Sequence, residues 1–392
     1  MKKLLFLLAI FSLCTFNVDA QKKVPHHQRT YPTTPAASRN EIILPQVKGY
    51  NCYKADFHVH THYSDGQVSP AGRAYEAWYD GLDVLAITDH YEYQKGVKLS
   101  FEVTAPYNPE GVPTTYKKAS EANGIKTDFN AIHNEAEKYV KSKGWNMLLV
   151  KGCEMARPKL GHYNALFLTD INAIYNKDLE VAFRNAKKQG GIIMHNHPGN
   201  VTKYETEWHK SVYDEGLIDA VEVANGYNIY PYMMNRCLDK GLAILSGTDA
   251  HGVASYPYAS VGNLRTMTIV LAKNLTEKAV KDAILKQRTI VYSGGDLIGD
   301  EKWLAELMNA AIDCRIIGED EESRSYILTN NSSLTFSLGT KGKYVRQIGP
   351  FMSHNVTIKK GKNGKHPNPK YSVGNMWVKD YKNPKITLEI DK

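Results

Sequence analysis

Between about Asn51 and Gly295 the chain repeats one unit: a short, uniformly apolar run that closes on residues able to bind metals or move protons, then a stretch with helical periodicity. Apolar runs cover 83–88, 147–150, 165–168, 191–194, 220–223, 243–246 and 267–270, and helix candidates cover 69–79, 128–143, 179–189, 233–240 and 276–286. Strands that are apolar throughout suit a parallel sheet buried on both faces, with the helices as crossovers. This alternation predicts an α/β fold. Because α/β barrels place their chemistry at the C-terminal ends of the strands, where these polar residues fall, a barrel is favoured over an open doubly wound sheet.

The densest polar stretch opens the series. In Asp56-Phe57-His58-Val59-His60, strand spacing sends both imidazoles from one face, and Ser64-Asp65-Gly66 is a turn that swings a carboxylate back toward them. Later runs close on Thr88-Asp89-His90, Glu154, His162, His195-Asn196-His197-Pro198 and Asp249-Ala250-His251. Asp89 is expected to orient a ligating imidazole. His195 alternates with His197, so the pair is expected on one face, His195 contacting substrate or protonating a leaving group. Arg157 is expected to meet an anion. Glu222 lies in a predicted buried strand, which an unpaired carboxylate would resist, so it is expected to bind a ligand.

Together these motifs resemble the PHP (polymerase and histidinol phosphatase) family of metal-dependent phosphoesterases. The resemblance implies a distorted (β/α)7 TIM-like barrel holding up to three metal ions. Carried over position by position, it implies that His58, His60, Glu154 and Asp249 bind one ion. Glu154 then bridges to a second held by His162 and His197, and Asp65, His90 and His251 hold a third. Such a nitrogen and oxygen set without thiolate suits Zn, Mn or Fe, and clustered ions make hydroxide available at neutral pH. The implied enzyme is a metal-dependent phosphoric ester hydrolase acting on phosphate mono- or diesters through a metal-bound hydroxide, with Glu154, Asp249 and His195 carrying catalysis. A metal-dependent amide or lactone hydrolase and a non-catalytic, metal-stabilised binding module are the alternatives. The filled ligand positions argue against the latter.

The flanks carry different signals. A charged start, an apolar run over 4–16 and Val18-Asp19-Ala20 before Gln21 predict a cleaved signal peptide over 1–20, hence an exported, periplasmic or secreted protein. Leu13 before Cys14 argues against lipid attachment. Residues 21–50, rich in Pro, Thr and basic residues, read as an extended leader, and 51–300 as the barrel. Over 301–392 a helix candidate at 301–311 precedes alternating runs at 325–329, 334–338, 354–358 and 385–390, which predict a small β-sandwich. Cys52, Cys153, Cys237 and Cys314 are scattered, as buried apolar side chains would be. A formal charge of +8 gives a weak preference for anions. The expected partner is a small phosphorylated substrate, with no membrane span and no nucleic acid beyond nucleotides or short fragments.

Overall fold

The computed structural model describes residues 38–92, 128–200, 206–340 and 343–391. The expected signal peptide, and the expected leader up to residue 37, lie outside them. Eleven strands precede the C-terminal region: β1 (Asn51–Val59), β2 (Val84–Ile87), β3 (Leu148–Arg157), β4 (Gly161–Leu166), β5 (Ile192–His195), β6 (Ala220–Asn225), β7 (Asn228–Ile229), β8 (Ala243–Gly247), β9 (Met267–Ala272), β10 (Thr289–Ser293) and β11 (Asp296–Gly299). The helices among them are α1 (Pro70–Tyr79), α2 (Phe129–Lys143), α3 (Leu179–Lys188), α4 (Glu207–Asp214), α5 (Pro231–Lys240), α6 (Tyr256–Ala259) and α7 (Glu277–Leu285). Ser69, Asp128 and Thr276 cap α1, α2 and α7 with their side chains, so these helices start one residue after the first polar residue of each expected span.

These strands form one curled sheet in the order β11-β10-β9-β1-β2-β3-β4-β5-β6, with β7 and β8 both on β6. The strands are not uniformly parallel as expected. β1, β2 and β3 are parallel, and so are β5, β6 and β8, but β4 runs against both of its neighbours and β9 runs against β1. The link from Arg157 to Gly161 is too short for a helical crossover, so β3 and β4 must form a hairpin. Beyond β8 the chain returns to β1: Asp249 N–H donates to the His58 carbonyl (2.8 Å) and His60 N–H to the Ala250 carbonyl (3.1 Å). Phe57, Val84, Val150, Met194 and Leu245 fill the concave side, while Val59, Leu85, Cys153, Ile193 and Val223 pack under the helices.

The C-terminal region starts with α8 (Glu301–Ala311) and continues through β12 (Ile312–Glu319), β13 (Ser323–Asn330), β14 (Phe336–Thr340), β15 (Lys343–Ile348), β16 (Ser353–Lys359), β17 (Lys370–Val373), β18 (Met376–Trp377) and β19 (Lys385–Thr387). These make two antiparallel sheets, β12-β13-β16 and β15-β14-β17-β19, while β18 joins the large sheet beside β11. Cys52, Cys153, Cys237 and Cys314 are buried free thiols, as expected. No helix among the described residues is long and apolar enough to cross a membrane.

Two buried arginines fix the end of the barrel where β1 finishes. Arg73 of α1 is fully buried and places all five of its N–H donors. Nε donates to the His60 carbonyl, Nη1 to Glu76 and the Gly252 carbonyl, and Nη2 to the carbonyls of Ala250 and His251, all at 2.7–2.9 Å. Arg265 donates to Asp56 (2.7 Å) and Asp80 (3.1 Å), and Asp56 in turn accepts from the backbone N–H groups of His58 and Thr248. Replacing Arg73 with Met would leave the Glu76 carboxylate buried without its partner. Denaturant unfolding of Arg73→Met should show a loss of about 3–5 kcal/mol, the range for breaking a buried pair by removing one member.

Candidate metal centre

The site grows from the end of β1. Val59 packs outward, so His58 and His60 both face inward, with their Nε2 atoms 3.1 Å apart. Gly247 on the neighbouring strand makes room for them: a Cβ there would lie 2.4 Å from His58 Cβ and 2.9 Å from Glu222 Oε1. Asp249 Oδ1 sits 3.3 Å from His58 Nε2 and 3.0 Å from His60 Nε2. From β3, Glu154 brings Oε1 to 3.3 Å from His58 Nε2 and Oε2 to 3.4 Å from His60 Nε2. A tetrahedral ion with bonds of about 2.0–2.1 Å needs ligand atoms about 3.3 Å apart. The four side chains meet that spacing.

Glu154 also reaches three further imidazoles. The β3–β4 hairpin pairs Glu154 with Asn164 and Ala156 with His162, which puts His162 diagonally beside Glu154 on the same face. Glu154 Oε1 lies 3.1 Å from His162 Nδ1 and 3.5 Å from His197 Nε2, while Oε2 lies 3.1 Å from His90 Nδ1. Across His90, its Nε2 is 3.4 Å from Asp65 Oδ2, which is 3.3 Å from His251 Nε2. The loop that returns Asp65 passes against the β1 backbone. At Gly66 a Cβ would stand 2.4 Å from the His60 carbonyl oxygen, so only glycine fits. Six imidazoles and three carboxylates thus converge in overlapping groups. Two of the nine, His197 (φ 25°) and Asp249 (φ 52°), hold backbone angles that non-glycine residues rarely adopt.

The charges in this cluster are strongly coupled. Burial pushes the Glu154 carboxyl upward, but the charge of His58 and hydrogen bonds from His162 and His197 hold it well below the usual carboxylate range. Asp249 is held down by His58 and His60, and Asp65 by His251 and His90, in each case against burial. Burial likewise opposes protonation of His90, yet Asp65 and Glu154 raise it to about 9. The acids stay ionised and draw protons onto imidazoles. A divalent ion would replace those protons, and a donor set of nitrogens and carboxylate oxygens without sulfur suits Zn, Mn or Fe.

Comparison with known proteins agrees with this arrangement. The PHP domain profile matches residues 56–273. A solved two-domain protein from Bacteroides vulgatus, containing a predicted PHP-like metal-dependent phosphoesterase, is 31% identical over 90% of this chain and 99% of its own, with a TM-score of 0.76. The chain belongs to the PHP domain family. More distant solved structures include an amidohydrolase from Chromobacterium violaceum (14% identity, 50% of this chain and 87% of that one, TM-score 0.35). Another is Endonuclease Q with an abasic duplex (15%, 64% and 60%, TM-score 0.39). No curated protein matches.

Within this PHP domain three residues expected at the substrate go elsewhere. His195 and His197 leave opposite faces, because β5 ends at His195 and the positive φ of His197 breaks the strand alternation. His195 turns outward, stacks on Tyr163 and meets the Tyr213 hydroxyl at 2.7 Å under α4. Arg157 spends its donors on Glu92 and on the carbonyls of Ala156, Asn176 and Lys177. Glu222 is fully buried behind the ligands: Oε1 is 3.0 Å from His58 Nδ1, and Oε2 accepts from His197 N–H (2.8 Å) and Asn225 Nδ2 (3.0 Å). Since the carboxylate only accepts, His58 keeps a proton on Nδ1, which leaves the inward Nε2 as the atom that would bind an ion once its own proton is displaced. Asp89 acts on the loop instead of on an imidazole, accepting from Thr61 N–H, Thr61 Oγ1 and Ser64 Oγ at 2.6–2.7 Å.

Asparagines that the sequence reading passed over complete the surround. Asn196 donates to Glu154 Oε1 (2.8 Å), and Asn225 Nδ2 also reaches Asp249 Oδ2 (3.2 Å). Their only signal was position, next to a ligand or at a strand end. In Glu222→Gln an amide N–H would face the His197 N–H or His58 Nδ1–H. Competition titration with a chelator should show metal affinity lowered at least tenfold, and by about 100-fold at the upper end of the range for such supporting partners.

Proposed function

We propose that this PHP protein is an exported hydrolase that cleaves phosphate mono- or diesters at a two- or three-metal centre built from the nine converging residues. The reading is carried by the spacing of His58, His60, Glu154 and Asp249, whose nitrogen and oxygen atoms lie 3.0–3.4 Å apart where hydrogen bonding alone gives imidazole nitrogens no reason to face each other. Glu154, His162 and His197 would hold a second ion, and Asp65, His90 and His251 a third. Divalent ions there supply Lewis acidity, acidifying water at neutral pH and neutralising phosphoryl charge.

The chain's own residues do the rest. His58, His60 and Glu154 form a dry floor, at most 1% exposed, while the side chains of His162, His251 and Asp65 are 33–40% exposed and form the mouth. A phosphoryl group enters from that side. Glu222 and Asn225 keep His58, His197 and Asp249 aimed at it, so the groups that meet the developing charge are in place before substrate arrives. In this reading residues 51–300 are the metal-binding barrel, 301–392 a C-terminal helix and β-sandwich, 1–20 a signal peptide and 21–50 a leader.

Two measurements test the proposal. Purified protein should hydrolyse an aryl phosphate and lose that activity on chelation. Glu154→Ala should lose metal content and more than the roughly 100-fold that an outer partner costs. Unchanged turnover in Glu154→Ala, or turnover of amide substrates alone, would sink the assignment. Separately, N-terminal sequencing of protein recovered from the native compartment should begin at Gln21; an intact Met1 would refute export by a cleaved signal.

A further inference from the structure

Where the C-terminal region meets the barrel, the chain forms a cleft whose chemistry is the reverse of the metal centre. It holds about 580 Å³, inside the range of roughly 300–1,000 Å³ for small-molecule sites. The loop at 262–264 and the turn between β10 and β11 make the barrel wall, while the start of β14, the end of β15 and Asn375 make the other. Asn263, Asp296, Thr335, Ser337, Gln347 and Asn375 line it, and Asp296 is the only charged residue among its described walls. No imidazole, thiol or cationic group is among them. Ligand sites are mostly apolar with a few polar groups. A cleft that is mostly amide and hydroxyl suits a ligand able to hydrogen-bond over most of its surface, because an apolar one would strip water from these groups without replacing it.

The walls are held in place and still have bonds to give. Buried Asn375 donates to the Gly295 and Thr335 carbonyls at 2.8 Å and accepts from Ser337 N–H at 2.9 Å, which ties the barrel turn to β14. Asp296 accepts from the Trp377 side chain, one of about four bonds that a carboxylate can take. Gln347 Nε2 reaches Ser337 Oγ at 3.4 Å. The side chains of Asn263 and Thr335 make no hydrogen bond to another described residue. Exposed aromatic rings stand at both lips. Tyr227, 45% exposed, lies 3.3 Å from where a Cβ on Gly294 would sit, and Phe351, 57% exposed, follows Pro350 of the far wall.

We propose that this cleft binds a neutral carbohydrate, whose hydroxyls pair with the amides, hydroxyls and carboxylate of the walls while the C–H face of one sugar ring rests on Tyr227. Asp296 sets the selectivity. An ionised carboxylate accepts sugar O–H groups strongly and repels phosphate, so the cleft refuses the anions that the metal centre would take. The walls are fixed before the ligand arrives, which spares the ordering cost of binding. The cleft shares no residue with the metal centre, and the inference stands whether or not the phosphoesterase reading does.

Isothermal titration calorimetry of the full chain tests this, with maltotriose, cellotriose, mannotriose and chitotriose as probes. At least one should bind saturably, and inorganic phosphate should not displace it. Asp296→Asn keeps an acceptor for the Trp377 indole but removes the charge, and should weaken binding about tenfold. Gln347→Ala should weaken it by a few-fold; Gln347 is exposed, so its truncation reports on the ligand and not on the fold. Tyr227→Ala should cost a similar factor through lost stacking. Failure of every trisaccharide to bind, or binding that all three variants leave unchanged, would overturn the proposal. Displacement of the sugar by phosphate would put it in the metal centre instead and overturn it as well.

Discussion

Burying three carboxylates among six imidazoles at one end of a barrel is an electrostatic problem before it is a catalytic arrangement, and the surrounding structure follows from it. An ionised carboxylate taken out of water costs several kcal/mol unless it is paired, and Glu154 is only 1% exposed. Here compensation comes from donors fixed at strand ends. Asn196 donates to Glu154, Asn225 to both Glu222 and Asp249, and the His197 backbone N–H to Glu222. Each is itself buried or nearly so, and each is fixed by a strand end. Such an array is stiff because loss of one donor leaves a charge without its partner.

The same end of the barrel must also hold backbone in shapes that local propensity opposes. Arg73 gathers three successive carbonyls, those of Ala250, His251 and Gly252, together with that of His60, so one guanidinium sets the loop bearing Asp249 and His251 against the strand bearing His58 and His60. Positive φ at His197 and Asp249 costs roughly 1–3 kcal/mol per residue in principle. It persists because neighbouring contacts over-determine it: the His197 amide is held by Glu222 and the Asp249 amide by the His58 carbonyl. Strain and buried charge therefore sit in the same few residues, and the arginine and glutamate that relieve them lie one layer further out.

That layering explains what the sequence disclosed and what it hid. Strand-helix alternation and the strand-end motifs were legible because burial on both faces forces apolar runs and because His, Asp and Glu rarely recur at their ends without cause. The antiparallel β4 was legible only in the three residues between Arg157 and Gly161, a length that excludes a crossover. His195 was misplaced because period-two spacing assumes a continuous strand, and nothing in His195-Asn196-His197 announces the backbone turn after it. Glu222 was recognised as needing a partner, but its partner is His58, more than 160 residues away, and only the fold supplies that contact. Arg157 reads as an anion ligand because a lone cation in a loop carries no mark of the Glu92 carboxylate that occupies it. β12, with five consecutive exposed residues from Arg315 to Glu319, lacks the alternation that marks a strand, and pairing with β13 makes it one.

The C-terminal region is joined to the barrel in a way that a loosely attached module would not need. β18 adds to the large sheet in parallel with β11, Asn375 donates to the Gly295 and Thr335 carbonyls, and the Asp380 amide donates to Asn235 of α5 at 2.9 Å. Those bonds form around Trp377 and Tyr381, which line one cavity together with Tyr230. A binding surface assembled from two parts of one chain is only as exact as the joint between them. Strand addition is the stiffest joint available, because backbone hydrogen bonds set register to a single residue. The C-terminal sheets then do more than cover apolar surface: by fixing β18 beside β11 they set where Trp377 and Tyr381 stand against Val223 and Ile298 of the barrel.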